Sequence, residues 1–497
     1  MTPPAWMSLL AEGATEGRPS TELASEPQLE PAAGRVQADI AILGSGPGGY
    51  VAAIHAAQSG ARIALIESCE LGGTCLNRGC IPSKALLRCA EIAMVMDSAK
   101  DYGFSVADAK IDLAAIIKRK DRVVKQLRSG VEFLMKKNNI TVVAGRGCLT
   151  SPTKIAVAGP DGMSEVEANR IIIATGSVPS RPPIRGADHP SVITSDEMLD
   201  LETAPERLVV IGAGAVGLEL AHAFRWFGSK VTVVEMLEEI IPLEDREIAG
   251  ELRRALKKQK IDIFTSATVT EIAHDGPDGP LAVKFEHDQE DKAVAADVVL
   301  MAVGRSPAAQ EIGLEEIGIE MEGRFIKVDD HLRTNLEGVY AIGDVIGGML
   351  LAHKASAEGK VAVDNCLGGD RRMSYRAVPN ALYTNPEVAS VGLSEEAAAA
   401  AGHNISVGRF PYRASGKALA YGEREGLAKI VVDKRHGALL GVSIFGVHAT
   451  DLIAEATLAI EHQMTAAELA ETIHAHPTLS EVVMEAAEDS LGRAIHK

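Results

Sequence analysis

The sequence predicts an α/β chain in which two Rossmann-like, doubly wound nucleotide-binding domains are followed by a smaller α+β domain. Three observations carry this expectation. An apolar run near residue 38 feeds a glycine-rich turn, a helix and a second apolar run that ends in an acid. The same frame recurs near residue 208, and from about residue 376 alternating β-branched patterns and two helical ones replace it.

In the first frame, Ala38-Asp39-Ile40-Ala41-Ile42-Leu43 reads as a buried parallel strand. Gly44-Ser45-Gly46-Pro47-Gly48-Gly49 is a G-x-G-x-x-G turn, residues 50–58 have a helical pattern, Gly60 stops it, and residues 62–67 read as the second strand. Glu67 lies 23 positions after Gly44. In this setting a helix N-terminus meets pyrophosphate and the terminal acid accepts from a ribose hydroxyl, whereas a lone glycine fingerprint could be a turn with no ligand.

Next comes Gly72-Gly73-Thr74-Cys75-Leu76-Asn77-Arg78-Gly79-Cys80-Ile81-Pro82-Ser83-Lys84. In a regular helix residues five apart have Cα atoms roughly 8 to 9 Å apart, too far for a disulfide without backbone movement. Gly72, Gly73 and Gly79 can supply an irregular turn that brings Cys75 and Cys80 closer. A redox disulfide, a pair of unbridged thiols and half a metal site all remain open, the last weakened because no second ligand pair follows nearby.

Residues 170–177 form a strand pattern ending in a small-residue turn, and residues 297–305 repeat it. Between them Leu208-Val209-Val210-Ile211 feeds Gly212-Ala213-Gly214-Ala215-Val216-Gly217, a helix runs through Phe227, and residues 230–234 lead to Glu235. Gly212 to Glu235 is again 23 positions, so two units of matching geometry imply two cofactors, or a cofactor and a co-substrate. The first unit leads to the two cysteines and suits a redox prosthetic group; the second suits an exchangeable nicotinamide. Glu235 would repel a 2′-phosphate, which favours NAD over NADP.

Val339-Tyr340-Ala341-Ile342-Gly343-Asp344 is a strand ending in an acid, ahead of the helix start Leu351-Ala352-His353-Lys354-Ala355. The acid can bind a ribityl or ribose hydroxyl, or simply cap a helix. Residues 383–392 and 427–432 read as strands, and residues 449–461 and 478–491 as helices. In His474-Ala475-His476-Pro477-Thr478-Leu479-Ser480-Glu481, Thr478 and Glu481 have capping-box spacing. Alternatively Glu481 orients the His476 ring as a base. Two metal-ligating histidines are a third reading, without an evident third ligand.

Composition bounds the rest. At 497 residues, 46% hydrophobic and 24% charged, the chain is expected to fold as three or so globular domains. A formal net charge of -18 argues against a nucleic-acid partner. Six cysteines in so long a chain do not make a secreted disulfide scaffold, which points to a cytoplasmic setting. No apolar run is long enough to predict a membrane span. Residues 1–37, acidic and rich in Ala, Pro and Ser, read as a disordered leader or linker rather than a transit peptide.

Together these motifs resemble the pyridine nucleotide-disulfide oxidoreductases, from about residue 38 to residue 497, most closely the branch that oxidises dihydrolipoamide as the E3 component of 2-oxo-acid dehydrogenase or glycine cleavage complexes. The resemblance implies an FAD-binding domain with a redox disulfide over 38–185, an NAD-binding domain over 186–305, a central segment completing the FAD domain over 306–375, and a dimerisation domain over 376–497. It implies flavin contacts at Gly44, Gly46, Gly49, Glu67, Gly73, Thr74, Lys84, Gly147, Thr175, Gly176, Ser177, Asp344, Leu351, Ala352 and His353, with Lys84 near the flavin N5 and paired with Glu219. It implies NAD contacts at Gly212, Gly214, Gly217, Glu235, Val269 and Gly304. Cys75 would exchange with substrate sulfur, Cys80 would face the flavin, and His476 with Glu481 would come from the other subunit of a homodimer. Lipoyl domains and a basic domain of the E2 core are the implied partners.

Two other readings compete. An NADPH-dependent, glutathione-reductase-like enzyme is disfavoured by Glu235 and by Leu479-Ser480, and a mercuric reductase by the absence of a cysteine after Cys366. A mainly docking or scaffold subunit is disfavoured by Cys75, Cys80 and His476 all being present.

Overall fold

The β-branched runs around each glycine turn pair as parallel strands buried on both faces. The computed structural model describes residues 34–274, 276 and 279–497. Residues 1–33 of the expected leader lie outside the described residues. The first strand, Arg35–Leu43, begins three residues earlier than expected because Arg35, Val36 and Gln37 pair with Glu165, Val166 and Glu167. A partner more than a hundred positions away leaves no local signal.

The chain divides into two compact units, the first made of residues 34–81, Arg122–Pro183 and Arg305–Met373. Its seven-stranded sheet runs in the order Thr141–Ala144, Ile63–Glu67, Arg35–Leu43, Gly162–Ile173, Lys154–Gly159, Arg146–Ser151, with Val339–Ala341 also on Gly162–Ile173. The pairs around Arg35–Leu43 are parallel, and the last two pairings of the path are antiparallel. The helices Pro47–Gln58 and Ala352–Cys366 pack together so closely that a Cβ on Gly359 would stand 2.7 Å from the Gly48 carbonyl oxygen.

The second unit comprises Pro82–Asp121, Ile184–Gly304 and Ser374–Lys497. Its parallel sheet runs Ile261–Phe264, Lys230–Val234, Arg207–Ile211, Val298–Met301, Val192–Ile193. A three-stranded antiparallel sheet, Ala267–His274, Leu281–His287 and Glu290–Ala296, is inserted after its edge strand. Residues 82–121 group here because Leu86, Leu87, Ala90, Leu113 and Ile117 share a core with Leu208, Val210 and Phe224.

The C-terminal part of this unit is a five-stranded antiparallel sheet covered by the helices Ala449–Glu461 and Glu481–Ser490. Of the expected strand over 383–392 only Glu387–Gly392 forms, and a separate short strand, Asn380–Leu382, precedes the expected start. Pro386 has no N–H for the ladder, so pairing resumes at Glu387. Among the described residues no helix is long and apolar enough to cross a membrane.

Candidate functional site

The two glycine turns are near copies in their backbone detail. Gly44 and Gly212 have φ of 104° and 103°, a conformation that strains any residue with a side chain. A Cβ on Gly44 would meet the Ala174 oxygen at 2.4 Å, and one on Gly212 the Ala302 oxygen at 2.5 Å. Gly49 and Gly217 lie against the first glycine of their own turn, since a Cβ there would stand 1.9 Å and 2.2 Å from its carbonyl oxygen. Gly46 and Gly214 face open space. Each is the N-cap of its helix without a side-chain cap, so the first N–H groups stay available to an anion.

The terminal acids hold these turns from below. Glu67 Oε2 accepts from the Ser45 N–H at 2.9 Å and hydroxyl at 2.6 Å, and its Oε1 accepts from Cys69 N–H at 2.9 Å. Glu235 Oε2 accepts from Ala213 N–H at 2.6 Å and its Oε1 from Leu237 N–H at 2.8 Å. Both acids thus brace their turns, a role separate from the ribose contact expected from the sequence.

Thr175 and Gly176 follow the crossover strand, and the buried Thr175 Oγ1 has no partner among the described residues. Gly176 and its counterpart Gly304 both have positive φ and face open space. Ser177 Oγ donates to Asp344 Oδ2 at 2.5 Å and accepts from Arg305 Nε at 2.7 Å. Arg305 was not among the residues singled out from sequence, where its place after a strand carried no signal. Leu351 is the N-cap of the helix that Ala352 and His353 begin, again with no side-chain cap. Gly147 sits in the core of the first unit, where a Cβ would strike Leu43 at 2.5 Å, and Val269 lies in the antiparallel strand Ala267–His274. A helix N-terminus, open space at the second glycine and an orphaned buried hydroxyl suit a dinucleotide on the first unit; the repeated turn suits another on the second.

The cysteine stretch is docked on the first glycine turn. Gly72 N–H donates to Ser45 O and Oγ, each at 3.2 Å, and a Cβ on Gly73 would lie 2.5 Å from Gly46 Cα. Instead of one irregular turn the chain makes two helices, Gly73–Arg78 and Cys80–Asp97, broken at Gly79 with φ -143° and ψ -108°. The break folds the chain back, so that a Cβ on Gly79 would stand 3.4 Å from Cys75 Cα. Asn77 secures the first helix, its Nδ2 donating to Leu71 O and Gly73 O at 3.0 Å while Arg128 Nε donates to its Oδ1. Thr74 is in this helix. A cavity of about 500 Å³ opens beside Cys75, lined by Pro47, Tyr50, Leu76, Ile81 and Val131. Burial and then charge on Cys75 push the Tyr50 hydroxyl up from its ordinary value.

Within the second unit, Lys84 Nζ lies 3.0 and 3.1 Å from the Glu219 carboxylate oxygens and 4.3 Å from the Tyr383 ring centroid. Glu219 is buried and also accepts from Tyr383 N–H at 3.0 Å. The expected Lys84–Glu219 pairing is therefore present, with Tyr383 as a third member that no sequence pattern indicated.

His476 is exposed and its Nδ1 lies 2.8 Å from Glu481 Oε1. Thr478 is not the N-cap that the capping-box reading would make it: its hydroxyl donates to Ala475 O, and the helix begins at Glu481 with Ser480 as N-cap. Glu481 Oε2 nonetheless accepts from Thr478 N–H at 2.8 Å, so half of the capping box coexists with the histidine contact. His474 turns elsewhere, with Nδ1 on Thr472 O and Nε2 2.9 Å from Glu455.

Residues 38–359 match the family model of pyridine nucleotide-disulphide oxidoreductases, and residues 378–487 match that family's dimerisation domain. The chain is 43% identical over 459 residues to the dihydrolipoyl dehydrogenase of Chlorobaculum tepidum, covering 92% of this chain and 97% of the relative. It is 42% identical over 468 residues to one from Bacillus subtilis, covering 92% and 99%. Among solved structures, LpdA from Mycobacterium tuberculosis superposes with a TM-score of 0.83 at 29% identity, covering 92% and 99% of the two chains. The HOCl-induced flavoprotein disulfide reductase RclA from Escherichia coli, solved as a Cu(II) complex, gives a TM-score of 0.81 at 30% identity, covering 91% and 99%. The protein is accordingly a flavoprotein oxidoreductase that uses FAD and NAD. With two dinucleotide frames, a cysteine pair beside the first of them and matches across nearly its whole described length, the chain belongs to the pyridine nucleotide-disulphide oxidoreductases.

Proposed function

We propose that this protein is a dihydrolipoyl dehydrogenase, oxidising protein-bound dihydrolipoamide to lipoamide with NAD as electron acceptor. The observation that carries the reading is the docking of the Gly72 to Cys80 stretch on the glycine turn of the first unit, which puts a pair of cysteines beside a dinucleotide site. The names of the relatives from Chlorobaculum tepidum and Bacillus subtilis support the choice of substrate.

In this reading FAD lies on Gly44, Gly46, Gly49, Gly176 and Asp344, and NAD on Gly212, Gly214, Gly217 and Gly304. The active dimer is formed through residues 376–497, and His476 of one subunit serves the cysteines of the other. His476, with Nδ1 held by Glu481, takes a proton at Nε2 from one dihydrolipoyl thiol. The resulting thiolate attacks Cys75 Sγ of an oxidised Cys75–Cys80 pair, forming a mixed disulfide and releasing the Cys80 thiolate. The second lipoyl thiol then attacks the lipoyl sulfur of that bond, its proton passing to the departing Cys75 sulfur as the lipoamide ring closes. FAD, when bound, supplies the two-electron relay from the reduced cysteine pair to NAD. Lys84, held by Glu219, would help to hold the flavin when it is bound.

The partners are lipoyl domains and the E2 core of a 2-oxo-acid dehydrogenase complex, and the setting is the cytoplasm. A steady-state assay of both nicotinamides against dihydrolipoamide and glutathione disulfide tests the assignment. NAD with dihydrolipoamide is expected to be much the fastest pair; faster turnover of NADPH with glutathione disulfide would overturn it.

A further inference from the structure

The first unit buries one ion pair that the reaction does not use. Lys354 Nζ lies 2.9 Å from Glu358 Oε1, one helical turn apart on Ala352–Cys366, with side chains only 2% and 0% exposed. Burying two charges costs more than their attraction returns unless further hydrogen bonds complete them. Lys354 also stands in the first turn of its helix, where the helix dipole disfavours a cation. Stabilising this helix is therefore a poor explanation for the pair.

Its remaining bonds go to another segment. Glu358 Oε2 accepts from Gly343 N–H at 2.7 Å, and Lys354 Nζ donates to Gly347 O at 2.9 Å and Gly343 O at 3.4 Å. The pair thus grips both ends of the short turn Gly343–Ile346 that carries Asp344. Gly343 and Gly347 have φ of 79° and 77°, so the turn is pinned at two residues that are otherwise free to change conformation. On the same helix Ser356 Oγ donates to Pro47 O at 3.1 Å, which ties it to the start of the first dinucleotide helix.

We propose that the Lys354–Glu358 pair is a positioning device for Asp344, holding that carboxylate at the height where it accepts from the sugar chain of FAD. Ser177, itself held by Arg305, donates to the Asp344 carboxylate, so the side chain is held by Ser177 and the backbone of its turn by the ion pair. Losing the pair loosens the flavin and leaves the thiol chemistry and the NAD frame intact. The proposal rests on the FAD placement proposed above.

Flavin release from holoenzyme, read as the rise in flavin fluorescence on dissociation, tests it alongside the thermal midpoint of the apoprotein. Lys354→Met/Glu358→Leu removes both charges at similar volume. It is expected to release FAD at least tenfold faster with the apoprotein midpoint nearly unchanged. Adding Asp344→Asn to this variant is expected to speed release no further, because both changes act through one carboxylate. If the double variant fails to fold, Glu358→Gln decides: its amide oxygen can still accept from Gly343 N–H, but it no longer holds the ammonium. Release from either variant at the parental rate, or an Asp344→Asn effect that multiplies with theirs, would overturn the proposal. Parental protein that binds no FAD would instead remove the underlying placement.

Discussion

Glu481 divides its carboxylate between two partners, with Oε1 2.8 Å from His476 Nδ1 and Oε2 accepting from Thr478 N–H at 2.8 Å. Burial pushes this carboxyl up, but the His476 and Thr478 hydrogen bonds outweigh it and hold it below its ordinary value. A carboxylate on Nδ1 selects the tautomer whose Nε2 is free to take a proton. His476→Ala is expected to lower dihydrolipoamide turnover by about 10²- to 10⁴-fold with FAD retained. Loss of the flavin in that variant would contradict the role given to the ring. Because the folded Glu481 is depressed, its contribution to stability is complete above the ordinary glutamate range and is lost as pH falls through the folded value. Glu481→Gln should therefore flatten the acid limb of stability against pH.

Glu235 is the acid on which the proposed preference for NAD rests. Replacement by Ala is expected to relax the preference for NAD, read as the ratio of kcat/KM for NAD and NADP. The same change removes the acceptor for Ala213 and Leu237 N–H, so the thermal midpoint should fall as well. A stability loss with an unchanged ratio would leave the acid as a brace alone.

How legible these features were depended on whether the signal was local. The two 23-residue frames were read correctly because strand, turn, helix and acid follow one another within about thirty residues. The three extra residues of the first strand, Tyr383 beside Lys84 and Arg305 beside Ser177 were not legible, because each depends on a partner at least 128 positions away. Thr478 is a different case: its spacing to Glu481 fits a capping box, half of which forms, but Ser480 is the N-cap. The break at Gly79 was anticipated from the glycines, while the helices on each side of it were not.

The close approaches inside the two turns allow the two proposed cofactor sites to be tested separately. Gly49→Ala drives a Cβ into the Gly44 oxygen, so it is expected to abolish flavin binding, seen as colourless purified protein. Gly217→Ala makes the corresponding clash with Gly212 and should give yellow protein with a raised KM for NAD. Loss of colour in both variants would mean that the two turns do not serve separate cofactors.

His222 is buried and its Nδ1 has no partner among the described residues. Burial pulls the ring down to about 4, against a hydrogen bond to Gln259 that acts the other way. An unfolded histidine titrates near 6.5, so between that value and about 4 the unfolded chain binds the extra proton. Stability should therefore fall by roughly 3 kcal/mol as pH drops through this window. Urea unfolding at several pH values checks it; His222→Gln should lose the slope, and a parental curve flat across the window would refute it.

Lys84 and Glu219 differ in burial, at 33% and 6% side-chain exposure, and this asymmetry predicts how each substitution behaves. Lys84→Met leaves a buried carboxylate with Tyr383 N–H as one remaining donor and no ammonium, at a cost of about 3 kcal/mol, near the low end for a broken buried pair because water reaches the lysine. Adding Glu219→Gln removes the stranded charge while its amide oxygen still accepts from Tyr383 N–H. The double variant should thus recover most of the loss, which thermal unfolding of the four proteins measures as a coupling. Additive losses would mean that the ammonium and the carboxylate are solvated separately, and that the pair does not fix the position of Lys84.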